Sequence, residues 1–97
     1  MGIEYCISFP PEKIDELRKT MLIFGGKCGE NANRFEFRFG PPDEKWADAT
    51  VVLDWEGGIY FCDHCGNREK VSVLFHRIIS KALTYSDSSD SIVVKEL

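Results

Sequence analysis

The chain has 97 residues, 43% of them hydrophobic and 29% charged, which suits one folded domain and excludes a disordered acidic tail. Its 12 Lys and Arg stand against 16 Asp and Glu, and this net charge of −4 argues against a nucleic-acid binder resting on phosphate contacts. The apolar run Met21–Phe24 is far short of the ~20 residues of a membrane span, and Met1-Gly2-Ile3-Glu4 lacks the basic region of a secretory signal.

Ile3, Tyr5, Ile7 and Phe9 alternate with Glu4, Cys6 and Ser8, which is the period of a half-buried strand. Pro10-Pro11 stops it and opens a helix, with Glu12, Asp15 and Glu16 suited to the positive end of the helix dipole. Ile14, Leu17, Met21 and Phe24 recur at helical spacing before Gly25-Gly26, so the helix is predicted over 11–24. A strand over 34–39 follows, with Phe35, Phe37 and Phe39 on one face and Arg34, Glu36 and Arg38 on the other. Residues 49–55 and 59–62 read as a hairpin. A three-residue loop, Glu56-Gly57-Gly58 with Gly58 left-handed, would put Val51, Leu53, Trp55, Ile59 and Phe61 on a single face. From Asn67, an N-cap, the apolar stripe Val71, Leu74, Phe75, Ile78, Ile79, Ala82 and Leu83 predicts a second helix to about Tyr85. Ser86-Asp87-Ser88-Ser89-Asp90-Ser91 is an acidic linker too short to separate domains, and residues 91–95 make a last strand.

The order β-α-β-β-β-α-β predicts one α+β domain over 1–97, a two-layer sandwich. Two helices would cover one face of a mostly antiparallel five-stranded sheet and leave the other open, close to a ferredoxin-like plait with an extra strand. That fold hosts many unrelated functions and names none.

Phe61-Cys62-Asp63-His64-Cys65-Gly66 is the one local pattern able to carry chemistry. An aromatic followed by Cys-x-x-Cys-Gly resembles one knuckle of a zinc ribbon, and a composite zinc site could add Cys28 or His64. The second knuckle is missing. The same tetrapeptide resembles a thioredoxin-like redox motif, but no proline follows Pro42, and the motif falls late in the chain. The third reading is structural, with Cys62 on the open face beside Tyr60, and the base rate for isolated cysteines favours it. Four cysteines in a chain without a secretory signal are expected in a reducing cytoplasm. With His64 and His76 alone and no phosphate loop, no catalytic set emerges, so the expectation is not an enzyme.

Charge is segregated along the chain. Asp43, Glu44, Asp48, Asp54, Glu56 and Asp63 face only Lys45, a local charge of −5, whereas Arg68, Lys70, Arg77 and Lys81 dominate the second helix. Trp46 belongs to no strand or helix stripe, so it either plugs a core edge or stands out as an interface anchor. The open face would present Arg34, Glu36, Arg38, Thr50, Val52, Asp54, Tyr60 and Cys62. Phe35–Phe39 lacks the basic, Gly-containing signature of the RNA-recognition family, which again speaks against nucleic acid.

These features lead to a small non-catalytic protein-binding domain, in its most concrete form an acidic inhibitor or antidote of a basic protein. Its binding residues would be Trp46, Asp43, Glu44, Asp48, Asp54, Tyr60, Arg34 and Arg38, with no cofactor and no membrane partner. The alternatives are a zinc or thiol module on Cys62 and Cys65, and a small-molecule-binding plait that dimerises through its open face. The chain would be a monomer or a homodimer.

Overall fold

A computed structural model describes residues 2–41, 43, 45–85 and 92–97. The linker expected at 86–91 and the candidate Glu44 lie outside the described residues. The elements are β1 (Ile3–Ser8), one 3-10 turn (Pro11–Lys13), α1 (Ile14–Ile23), β2 (Lys27–Cys28), β3 (Arg34–Phe37), β4 (Ala49–Trp55), β5 (Gly58–Asp63), α2 (Arg68–Tyr85) and β6 (Val94–Glu96). Among the described residues no helix is long and apolar enough to cross a membrane.

The architecture is α+β, with a six-stranded sheet in the order β2-β3-β4-β5-β1-β6 and every neighbouring pair antiparallel. The expected count of five is corrected by β2, two exposed residues that pair with Glu36 and Phe35 of β3. Helix α1 ends as its glycines predict. Gly26 N–H reaches the Met21 carbonyl at 2.9 Å and Gly25 N–H the Leu22 carbonyl at 3.1 Å, the paired bonds of a Schellman stop. This turn sends the chain back along β3.

Ile7, Ile59, Phe61, Val51, Leu53, Phe35 and Phe37 from the sheet share one buried cluster with Leu17 and Met21 of α1 and Val71, Leu74 and Ile78 of α2. Both helices therefore cover the same face, as two singly amphipathic helices must. Asn67 caps α2 through Oδ1, which accepts from Lys70 N–H at 3.4 Å. Leu83, expected in the buried stripe, is instead exposed.

The β4–β5 hairpin departs from the expected register. Its loop is two residues, Glu56 (φ 47°) and Gly57 (φ 78°), both left-handed as a type I′ turn requires, and Trp55 pairs with Gly58. Such a loop would throw the apolar residues onto both faces. A bulge prevents this: Leu53 and Asp54 (φ 54°) stand opposite Ile59 alone, between the pairs Val52–Tyr60 and Trp55–Gly58. Leu53, Ile59 and Phe61 stay in the core, while Trp55 moves to the open face and packs on Tyr60 at 5.3 Å between ring centroids. Gly58 is needed for another reason, since a Cβ there would come within 2.4 Å of the Ile7 carbonyl oxygen on β1.

Candidate functional site

Cross-strand pairing fixes which side chains share the uncovered face. One row runs across the sheet as Lys27, Glu36, Thr50, Cys62 and Glu4. The next runs as Arg34, Val52, Tyr60, Cys6 and Lys95. Lys27 and Arg34 thus stand on the β2–β3 side and Lys95 at the opposite edge on β6, with Tyr60 and the thiols of Cys62 and Cys6 between them on β5 and β1.

Beyond β3 the chain crosses this face in the loop that carries Trp46. Asp48 closes the loop. Its carboxylate accepts Phe39 N–H at 2.7 Å, its own N–H donates to the Phe37 carbonyl at 2.7 Å, and its carbonyl accepts His64 N–H at 3.0 Å. The loop then borders a groove of about 620 Å3. Lys45, Trp46 and Ala47 line it together with Arg34, Glu36 and Arg38, and with Thr50 and His64. Glu36 sits between the two guanidinium groups, accepting from Arg38 Nη2 at 2.8 Å and lying 3.9 Å from Arg34 Nε. Arg38 also donates to the Lys45 carbonyl at 3.5 Å, which ties the strand to the Trp46 loop. Trp46 itself is 83% exposed. It does not plug the core edge.

The cysteine motif borders the far end of this groove. The His64 ring bridges two groups, with Nε2 2.8 Å from Thr50 Oγ1 and Nδ1 3.7 Å from Cys62 Sγ. Cys62 is 5% exposed although it lies on the open face, because the ring and Gly2 cover it. Burial pushes the Cys62 thiol above its ordinary range, against a hydrogen bond with Tyr60 that acts the other way. Burial thus disfavours the thiolate, the form of cysteine that acts as a nucleophile. The Tyr60 phenol is raised as well, first by burial and then by its bond to the Glu4 carboxylate.

Cys65 is exposed in a left-handed turn (φ 67°), its N–H held by the Asp63 carboxylate at 2.7 Å. Cys28 stands on β2, three strands from β5, roughly 14 Å at ~4.8 Å per strand. The structure therefore does not bring Cys28 to Cys62 and Cys65, and among the described residues no three His, Cys, Asp or Glu side chains converge as metal ligands.

The expected binding residues separate on inspection. Arg34, Arg38 and Trp46 meet in the groove, and Tyr60 lies further along the same face. Asp43 and Asp54 are exposed, Asp54 at the hairpin bulge. Asp48 is corrected: it is 3% exposed and spends its carboxylate on the backbone. Asp63 of the acidic stretch is also buried, with Cys65 N–H and Arg68 as its partners, so the stretch is less acidic at the surface than along the chain. Sequence reasoning missed Lys27 and Lys45, placed Thr50 on the open face without a role, and weighed His64 only within the zinc and redox readings of the cysteine motif. Glu36 was legible in the alternation of Arg34, Glu36 and Arg38, which puts all three on one side.

Comparison with protein-family models, with curated proteins and with solved structures finds no match, so function is argued from this geometry.

Proposed function

We propose that the chain is a small non-catalytic protein-binding domain that docks its partner on the open sheet face, with Trp46 as the anchor. The observation that carries this reading is an 83% exposed tryptophan at the rim of a polar groove. Solvation of an indole is unfavourable, and Trp and Arg are the residue types that dominate interface energetics. The non-catalytic part is supported by the protonated, covered Cys62 thiol. The partner in this reading is a basic protein overall, met by acidic side chains beside the groove. Asp43, Asp54 and Glu56 remain outward for such a contact, but Asp48 and Asp63 do not. At the level of layers, two helices over one antiparallel sheet, we also read the fold as a relative of the ferredoxin-like plait.

The test replaces Trp46 with a photo-crosslinking aromatic residue, with Val73 on the exposed side of α2 as the control position. A defined protein adduct at position 46, missing at 73 and reproduced with that protein purified, is the expected result. Equal adduct formation from both positions, or none from 46, would overturn the reading.

A further inference from the structure

We propose that the groove between Arg34, Arg38, Lys45 and Trp46 receives an acidic peptide segment of the partner, its carboxylates on the guanidinium groups and an apolar side chain against Trp46. This inference rests on the open face being the docking surface and adds the chemistry of what docks there.

Charge complementarity carries it. Among the described residues Arg34, Arg38 and Lys45 line the groove with Glu36 as its one carboxylate, and Lys27 stands beside Glu36 in the next strand and lines an adjoining hollow with Arg38. The chain as a whole is acidic, but fixed charges beyond about 8–10 Å are screened at physiological salt, so the local cations decide what approaches. Glu36 does more than reduce that charge. By accepting from Arg38 at 2.8 Å and lying 3.9 Å from Arg34, it holds two guanidinium groups side by side along β3. Each guanidinium has five N–H donors in a planar fork, so donors remain for an incoming carboxylate. Side chains already ordered lose less freedom on binding.

The second feature is the apolar plate beside those cations. Arg38 donates to the carbonyl of Lys45, the residue before Trp46, so cation and indole line the same groove. A partner segment that alternates Glu or Asp with a leucine or phenylalanine matches both. A nucleic-acid strand matches less well, since it carries a negative charge at every nucleotide whereas the groove interrupts its cations with the carboxylate of Glu36, which an acidic segment can face with an uncharged side chain.

The experiment is an amide chemical-shift titration of the full chain with three probes. These are an acetylated Glu-Glu-Leu-Glu-Glu amide, its Lys-Lys-Leu-Lys-Lys counterpart, and a ten-nucleotide oligothymidine. The acidic peptide is expected to shift amides of 34–38 and 45–50 and the Trp46 indole, more strongly at low salt. Arg34→Gln combined with Arg38→Gln should weaken it at least about tenfold, with the spectrum otherwise unchanged. Trp46→Ala should weaken the leucine peptide more than a Glu-Glu-Ala-Glu-Glu control. A response to the lysine peptide at those amides, equal or stronger, overturns the inference and leaves the docking surface intact. Preference for the oligonucleotide overturns both. Silence of the groove toward the acidic peptide at millimolar concentration overturns the acidic-segment inference, whatever position 46 crosslinks.

Discussion

The Asp48 carboxylate accepts the backbone N–H of Phe39 at 2.7 Å, and this bond closes the loop that carries Trp46 across the open face. The same residue ties the end of β3 to the end of β5, through Phe37 and His64. Asp48 is thus an internal clamp, and its removal leaves Phe39 N–H without a partner. Asp48→Ala is expected to cost about 1–3 kcal/mol in urea unfolding, the penalty of an orphaned buried donor. Asp48→Asn keeps an accepting oxygen and should cost less. Hydrogen exchange at amide 39 should rise with Ala and not with Asn. Equal behaviour of the two variants would show that the bond does not hold the loop.

Gly58 makes a different demand on the hairpin. A Cβ at this position would lie 2.4 Å from the Ile7 carbonyl oxygen, a backbone atom of the β1–β5 ladder that cannot swing away as a side chain can. Gly58→Ala is expected to destabilise by about 1–3 kcal/mol, the range of a forced backbone shift. Gly29 has open space around its would-be Cβ, so Gly29→Ala should stay within about 1 kcal/mol of the parent. Denaturant midpoints measured side by side decide the matter. A tolerated Gly58→Ala would mean that β1 and β5 are not packed this closely.

The hairpin also marks where the sequence stops being legible. Phe35, Phe37, Val51 and Phe61 could be assigned to the buried face, because alternation has a period of two and each belongs to an unbroken run. The bulge could not, since it depends on Asp54 and Glu56 in left-handed conformations that their side chains do not advertise. Placing Gly58 in the left-handed position kept most of the right faces by the wrong geometry, and it put Trp55 on the wrong side. Strand β2 was illegible for lack of any buried residue; Lys27 and Cys28 pair with β3 because the Gly25-Gly26 turn delivers them there. In the site, the alternation of Arg34, Glu36 and Arg38 is readable in the sequence, and so is the isolation of Trp46 from every strand and helix stripe. The role of Asp48 was not readable, because a carboxylate bonded to a backbone N–H nine residues away looks identical in sequence to one in water.

The two tryptophans should separate in their effects. Trp46 is 83% exposed, so Trp46→Ala is expected to change unfolding free energy by less than about 0.5 kcal/mol. Trp55 packs on Tyr60, and Trp55→Ala forfeits an aromatic pair worth about 0.5–1.5 kcal/mol beyond the area it covers. Circular dichroism during urea unfolding gives both values without relying on the fluorophore being removed. Iodide should quench Trp46 strongly in a Trp55→Phe background. A stability loss at Trp46 matching that at Trp55 would place its ring in packing contact rather than in solvent.

The buried thiol gives stability a pH dependence whose sign follows from burial. Cys62 is raised above its ordinary value chiefly by desolvation, and Tyr60 by desolvation and its bond to Glu4, so folding favours the protonated form of each. Stability from a raised group is fully present below the unfolded-state value, about 8.5 for a thiol and about 10 for a phenol. It is lost as pH climbs from there through the folded-state value, because the unfolded chain releases its proton first. Unfolding free energy should therefore fall above about pH 8.5. The decline should be shallower in Cys62→Ala, and shallower again when Tyr60→Phe is added. The comparison uses slopes between pH 8 and 11 rather than absolute stabilities, since removing the Cys62 side chain also removes packing. The same burial predicts that iodoacetamide at pH 8 modifies the exposed Cys28 and Cys65 well before Cys62, as followed by mass spectrometry. A parent and a Cys62→Ala variant with equal slopes, together with early alkylation of Cys62, would mean that the thiol is open to solvent and that the His64 ring and Gly2 do not cover it.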